Sequence, residues 1–136
     1  MRVGQMKQVV NEDPTFGSDV QYYMTKVQFD FAADNEEYLL FTDHELALIH
    51  YRTQRNKEDV KLLDLNRKNG VLTRIKNRGA LFGAASTYVA FAVLHRRDHR
   101  DHREWLLLTE YDLETARDRV KRCPRTIEAN KTGWVA

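Results

Sequence analysis

One cysteine, two prolines and six glycines in 136 residues leave the chain few residues that fix structure by themselves. The single Cys123 makes no internal disulfide, which excludes a bridged secreted scaffold and fits a reducing compartment. It also leaves no cysteine cluster at ligand spacing, so no structural zinc site is expected. No apolar run approaches the ~20 residues needed to cross a bilayer as a helix. The opening MRVGQMKQVVNEDPTF lacks the apolar core of a signal peptide, so the expected location is the cytoplasm. Neither sign of charge dominates, since 22 basic side chains face 20 acidic ones. With 42% hydrophobic and 10% aromatic residues, the chain is no disordered polyampholyte and has the length of one domain, 1–136.

The balanced charge hides an asymmetry. Residues 1–66 carry seven basic and twelve acidic side chains, whereas residues 67–136 carry fifteen and eight. Such a split fits self-complementary association or a basic face turned to an acidic partner.

A second pattern emerges when the chain is displaced along itself by 67 residues. Glu37–Leu46 then lies over Glu104–Leu113, Arg52 over Arg119 and Arg55 over Arg122. Both copies read as an apolar strand, a Thr cap and a helix. Thr42 with Glu45 has capping-box spacing, as does Thr109 with the shorter Asp112. Leu46, Ile49 and Thr53 form one narrow stripe; Leu113, Ala116 and Val120, continued by Cys123, form the other. Pro124 is expected to stop the second helix, and Asn56-Lys57-Glu58-Asp59 the first.

Ahead of each unit lies a β-like run. Val20, Tyr22 and Met24 alternate, then Val27, Phe29 and Phe31 alternate in opposite phase, with a bulge expected near Thr25-Lys26. Tyr88–Leu94 is the corresponding run. Val60–Leu65 and Val71–Ile75 flank Asn69-Gly70, a hairpin signal. The expected fold is α+β: an antiparallel sheet of five or six strands with two helices, from a duplicated strand-strand-helix unit at 20–59 and 87–126. The ends, 1–18 and 126–136, are expected to be loosely held.

The densest cluster of chemistry-bearing residues is His95-Arg96-Arg97-Asp98-His99-Arg100-Asp101-His102-Arg103. Lying between two apolar strands, it reads as a hairpin tip. Its interspersed arginines would repel a dication, which leaves a solvated turn or contact with phosphates or an acidic protein surface. Arg96, Arg97, His99, Arg100, His102 and Arg103, with Trp134 in the tail, are the candidate partner-binding residues, because Arg and Trp are typical interface anchors. Arg67, Lys68, Arg74, Lys76 and Arg78 form a second basic stretch; with no aromatic interleaving them they read as a solvated hairpin, and otherwise as the candidate nucleic-acid contact.

Catalytic signatures are missing. His44-Glu45 lacks the second His that a zinc-protease helix needs four residues on, where Leu48 stands. His50 falls on a different face, at the edge of the helix stripe. Gly79–Ser86 is rich in small residues but has no GK[ST] ending, and no Ser sits in an elbow motif. Cys123 reads as a buried inert thiol. No catalytic residue, metal site or cofactor is assigned.

The stretch Tyr38-Leu39-Leu40-Phe41-Thr42-Asp43-His44-Glu45-Leu46, continued by Arg55-Asn56-Lys57-Glu58-Asp59-Val60, resembles a segment of small accessory proteins of tailed bacteriophages. That segment often closes on Asn-Pro-Glu-Asp, and here Lys57 replaces the Pro. The resemblance implies a context in which such proteins bind a host or phage protein. The expected function is therefore a non-catalytic protein-interaction module, as a phage protein that modulates a host enzyme. A nucleic-acid binder using the basic half, or a self-associating structural or virion component, are the alternatives.

Overall fold

The computed structural model describes residues 4–13, 20–29, 36–62, 69–76, 87–97 and 99–131, without the side chains of Asp59, Lys61, Leu62, Arg96 and Arg97. Its elements run β1 (Gln5–Val9), β2 (Tyr22–Phe29), β3 (Glu36–Thr42), α1 (Asp43–Arg55), α2 (Lys57–Leu62), β4 (Val71–Lys76), β5 (Thr87–Arg97), β6 (Arg100–Thr109), α3 (Glu110–Arg122) and α4 (Pro124–Lys131). The α+β class is as expected. The sheet is not purely antiparallel, however, and helical segments beyond the two expected ones complete it.

The strands lie in the order β3, β2, then β1 and β4 sharing one lane, then β5 and β6. β1 is antiparallel to β2 and parallel to β5, whereas β4 is parallel to β2 and antiparallel to β5. These two strands start back to back at Gly4 and Gly70 and run apart. Since β2 and β5 point in opposite directions, each strand of the shared lane must be parallel to one neighbour. That is the physical source of the mixed sheet. The junction is tied on both sides: Gly4 N donates to Lys26 O and Gly4 O accepts from Leu94 N, both at 2.7 Å. Gly70 N donates to Ala92 O at 2.7 Å, and Gly70 O accepts from Gln28 N at 2.8 Å.

Asn69-Gly70 therefore opens a central strand instead of turning a hairpin, and Val60 lies in helix α2 rather than in a strand. β2 has no bulge. Its register with β3 runs unbroken from Tyr22↔Thr42 to Gln28↔Glu36. The apparent slip in apolar phase has another cause, burial on both faces. Val27 joins Leu39, Phe41, Phe91, Leu106 and Leu108 under α1 and α3, while Tyr22 and Met24 join Leu40 on the opposite face. There Cys123 and Ile127, around the α3–α4 corner, cover them. Val60 of α2 covers Ile75, Tyr88, Ala90 and Leu107 on the same face. A sheet buried on both sides lacks strict period-two alternation.

Both capping boxes form: Glu45 N donates to Thr42 Oγ1 at 3.2 Å and Asp112 N to Thr109 Oγ1 at 3.0 Å, with each acid returning to the cap amide. Asn56 ends α1, yet the chain resumes as α2 one residue later. Pro124 likewise ends α3 and serves as the first residue of α4, where its missing N–H costs nothing. The segments expected to be loosely held thus contain β1, in the middle of the sheet, and most of α4.

Helix α4 follows Cys123, which has no capping oxygen, and borrows a carboxylate from the other end of the chain. Asp13 Oδ2 accepts from Thr126 N at 2.9 Å and lies 2.8 Å from Thr126 Oγ1, which in turn accepts from Glu12 N at 2.8 Å. Burial pushes the Asp13 carboxyl up, but the Thr126 hydrogen bonds and the Arg125 amide and charge outweigh it, leaving Asp13 below the usual carboxylate value. A depressed carboxylate stabilises the fold above its unfolded pKa, and that gain is lost as pH falls through the lower folded value. Asp13→Asn is therefore expected to lower the urea midpoint at pH 7. The gap to wild type should close in strongly acid buffer, and an equal gap at both pH values would refute the assignment.

Candidate functional site

Each long helix lies chiefly on the other half's hairpin, α1 over β6 and α3 over β3. Two reciprocal ion pairs lock this crossing. Arg52 Nη1 on α1 donates to Asp112 Oδ2 at 2.7 Å and to Leu107 O at 2.9 Å. Arg119 on α3 grips both carboxylate oxygens of Glu45, and its Nη1 donates to Leu40 O at 2.8 Å. Both acids are the capping-box residues of the opposing helix. β3 and β6 are edge strands, whose outward backbone groups would otherwise invite pairing with another chain. Arg119 covers Leu40 O, while Arg52 and Thr53 take Leu107 O and Leu107 N. The stripe reading placed Val120 inward beside Ala116. Arg119 is the more buried of the two, because its guanidinium serves this lock.

At the rim of the core under α1, three side chains from three elements converge. His50 Nε2 on α1 lies 3.2 Å from Glu104 Oε2 on β6, and His95 Nδ1 on β5 lies 3.5 Å from the same oxygen. All three donor atoms lie within 4.8 Å of one another. Strand geometry explains the β5–β6 part. Glu104 pairs with Val93 and His95 with His102, so these four residues share the face that carries Phe91 and Leu106 further in. His50 follows Ile49 of the buried stripe and reaches the hairpin from above. The side chains are 29%, 22% and 16% exposed, so the cluster is half-buried with an opening to solvent. Tyr23 closes one flank, its ring edge-on to His95 at 6.2 Å. Two imidazoles and a carboxylate are a donor set able to hold a transition metal ion.

A second rim glutamate, on β3, is held to α3 in a different way. Sixty-seven residues before Glu104 and after His50 stand Glu37 and Arg117, joined by a forked pair with Nε 3.0 Å and Nη2 2.8 Å from Glu37 Oε1. The Arg117 guanidinium also covers Phe29 at 4.6 Å. Gln28 stands in the place of His95.

The charged segment read as a hairpin tip is one, since β5 and β6 pair antiparallel as far as Arg97↔Arg100, and His99 sits at φ 63°. His99, Arg100, His102 and Arg103 are exposed on it, and Arg103 lies 5.9 Å over the Trp105 ring. The side chains of Arg96 and Arg97 fall outside the described residues, as do Trp134, Arg67, Lys68 and Arg78. Lys76 is exposed on β4. Arg74 is exposed too, but pairs with Glu110 at 2.9 Å and covers Phe29 at 5.1 Å. Cys123 is buried.

Sequence reasoning sought metal ligands within His95–His102 and around His44, and missed the group that the fold assembles. The hairpin register was the available signal, since a two-residue turn places residue 104 diagonally beside residue 95. Nothing local placed His50 above them.

Two aromatics and a leucine of the long helices are exposed. Leu48 and Tyr51 on α1 are 66% and 63% exposed, and Tyr111 on α3 is 77% exposed. The Arg52–Asp112 pair brings these parts of the two helices together. No protein-family model, curated protein or solved structure matches the chain. No described helix is long and apolar enough to cross a membrane.

Proposed function

We propose that the chain is a non-catalytic protein-interaction module whose contact surface is the outer face of α1 and α3 around Leu48, Tyr51 and Tyr111. The observation that carries this reading is an internal contrast. Sixty-seven residues away, the same helix positions hold Thr115, Asp118 and His44. The scaffold therefore works with polar side chains at these places, and apolar ones are not needed to build it. Exposed Tyr beside arginines is suited to anchoring a protein with an apolar patch and a carboxylate rim, and Leu48 adds apolar area. Arg55, 5.7 Å over the Tyr51 ring, would face that rim.

The contrast rests on reading the chain as two copies of a strand-strand-strand-helix-helix unit, 4–62 and 69–131. This extends the strand-strand-helix repeat by β1 and β4 at the start and α2 and α4 at the end. The reciprocal pairs Arg52–Asp112 and Arg119–Glu45, with Leu107 O and Leu40 O as shared acceptors, support a pseudo-twofold relation, since every member maps onto its counterpart at the same offset. Part of the charge asymmetry then has an internal use: Arg117 and Arg119 of the basic half are engaged with Glu37 and Glu45 of the acidic half. That favours a protein partner over nucleic acid. The phage resemblance supplies a bacterial host protein in the cytoplasm as the class of partner.

The test is capture from nuclease-treated bacterial lysate, followed by affinity measurement with the purified partner. Leu48→Ser, Tyr51→Ser and Tyr111→Ser together should keep the melting temperature close to wild type, since exposed substitutions usually shift stability within about 0.5 kcal/mol. The triple variant should weaken binding by roughly 2 kcal/mol or more. Undiminished affinity would refute the surface, loss of all captured material on nuclease treatment would promote the nucleic-acid reading, and concentration-dependent self-association abolished in the triple variant would make the partner a second copy.

A further inference from the structure

The cluster of His50, His95 and Glu104 has no part in that surface, and its geometry asks for a separate explanation. Around a four-coordinate zinc ion with donors at about 2.0–2.1 Å, neighbouring donor atoms lie about 3.3–3.4 Å apart. The two edges of the cluster that meet at Glu104 Oε2, 3.2 Å and 3.5 Å, bracket that value. The donors come from three different elements, each anchored next to a fully buried residue: Ile49 on α1, Val93 two places before His95, and Leu106 two places after Glu104. Their positions are thus held by the core.

The other half of the molecule supplies a comparison. There the rim glutamate, Glu37, is held to its helix by the forked Arg117 pair. A guanidinium meets the need for charge and hydrogen bonding, and it cannot ligate a metal. In the half with Glu104, two imidazole nitrogens stand where that single cation would be enough. We propose that His50 Nε2, His95 Nδ1 and Glu104 form a site for a divalent transition metal ion of the zinc class.

Two neutral nitrogens and one carboxylate suit zinc, cobalt, nickel or copper and disfavour magnesium and calcium, which take oxygen ligands. Three protein ligands leave a coordination position directed at the opening. Water fills it by default, and His102 can fill it from the protein. His102 is exposed directly opposite His95 on the same face, where paired Cβ atoms stand about 4.5–5.5 Å apart. Bound metal would pin α1 to the β5–β6 hairpin and steady the charged tip.

Cobalt(II) serves as a visible probe and zinc as its competitor, on the whole chain freed of metal by a chelator. One equivalent of cobalt should give ligand-field absorption, displaced by zinc and not by magnesium. Zinc should raise the melting temperature, as any ligand specific to the native state does. His50→Ala and Glu104→Gln should each weaken zinc binding by about a hundredfold or more, while His44→Ala leaves it unchanged. If the cluster variants fail to fold, the wild-type histidine ring resonances decide the matter. Cobalt should broaden His50 and His95 and spare His44 and His99. Absence of stoichiometric binding, binding that survives both cluster variants, or broadening centred on the tip histidines alone would each overturn the site. The outcome is independent of partner capture, so the two proposals stand or fall separately.

Discussion

Replacing Gly4 by alanine is expected to lower the melting temperature by about 10 °C or more. Gly4 sits at φ +86°, in the left-handed region that L side chains rarely adopt. A Cβ there would stand 2.3 Å from Gly70 N, 2.5 Å from Asn69 C and 2.7 Å from Gly70 Cα. These are backbone atoms of the strand sharing its lane, so no rotamer change relieves the contact. Separating the two strand starts would stretch the four hydrogen bonds that Gly4 and Gly70 make to β2 and β5. Left-handed strain and forced repacking together come to about 3 kcal/mol or more. That is a large part of the roughly 5–15 kcal/mol by which a domain is stable. Differential scanning calorimetry on Gly4→Ala checks it. A melting temperature within about 2 °C of wild type would mean that β1 and β4 do not abut.

Removing Arg119 should cost about 3–5 kcal/mol, because it strips the cation from a largely buried pair and leaves its partners facing apolar groups. The partners are the Glu45 carboxylate, which also caps α1, and Leu40 O on the outer edge of β3. Arg119→Lys should recover only part of the loss. A single ammonium cannot serve the carboxylate and the carbonyl with the fixed fork of a guanidinium. Arg119→Ala and Glu45→Ala in a double-mutant cycle should show strong coupling, measured as urea midpoints. Additive losses would mean that the pair does not bridge the halves. The reciprocal pair, Arg52 with Asp112, is more exposed, and its removal should cost less. Screening by solvent weakens such a pair.

The elements whose signals are local were legible in the chain. Thr42 and Thr109 with acids three residues on named both helix starts, and the Leu46, Ile49, Thr53 stripe named the buried face of α1 correctly. The hairpin tip at His95–Arg103 was equally plain, since two apolar runs flank the charged segment. Misreadings arose where a residue answered to something distant. Val60 looked like a strand because it is β-branched, yet it covers Tyr88 and Leu107 from helix α2. Met24 and Val27 looked out of phase because opposite faces of one strand are buried by different helices. Val120 was placed in the buried stripe, whereas Arg119 is the more buried because a second helix brings Glu45 beside it.

What the sequence determined by itself is the pair of strand–cap–helix modules, their apolar stripes and the turn between β5 and β6. Caps, periodicity and turns act over a few residues, and their free energies are written in neighbouring side chains. Only the tertiary structure decided that β1 and β4 share one lane, that each long helix lies over the other half's hairpin, and that His50 stands above His95 and Glu104. Those arrangements depend on contacts between residues many tens of positions apart. Their energy appears only when the sheet has closed around Gly4 and Gly70.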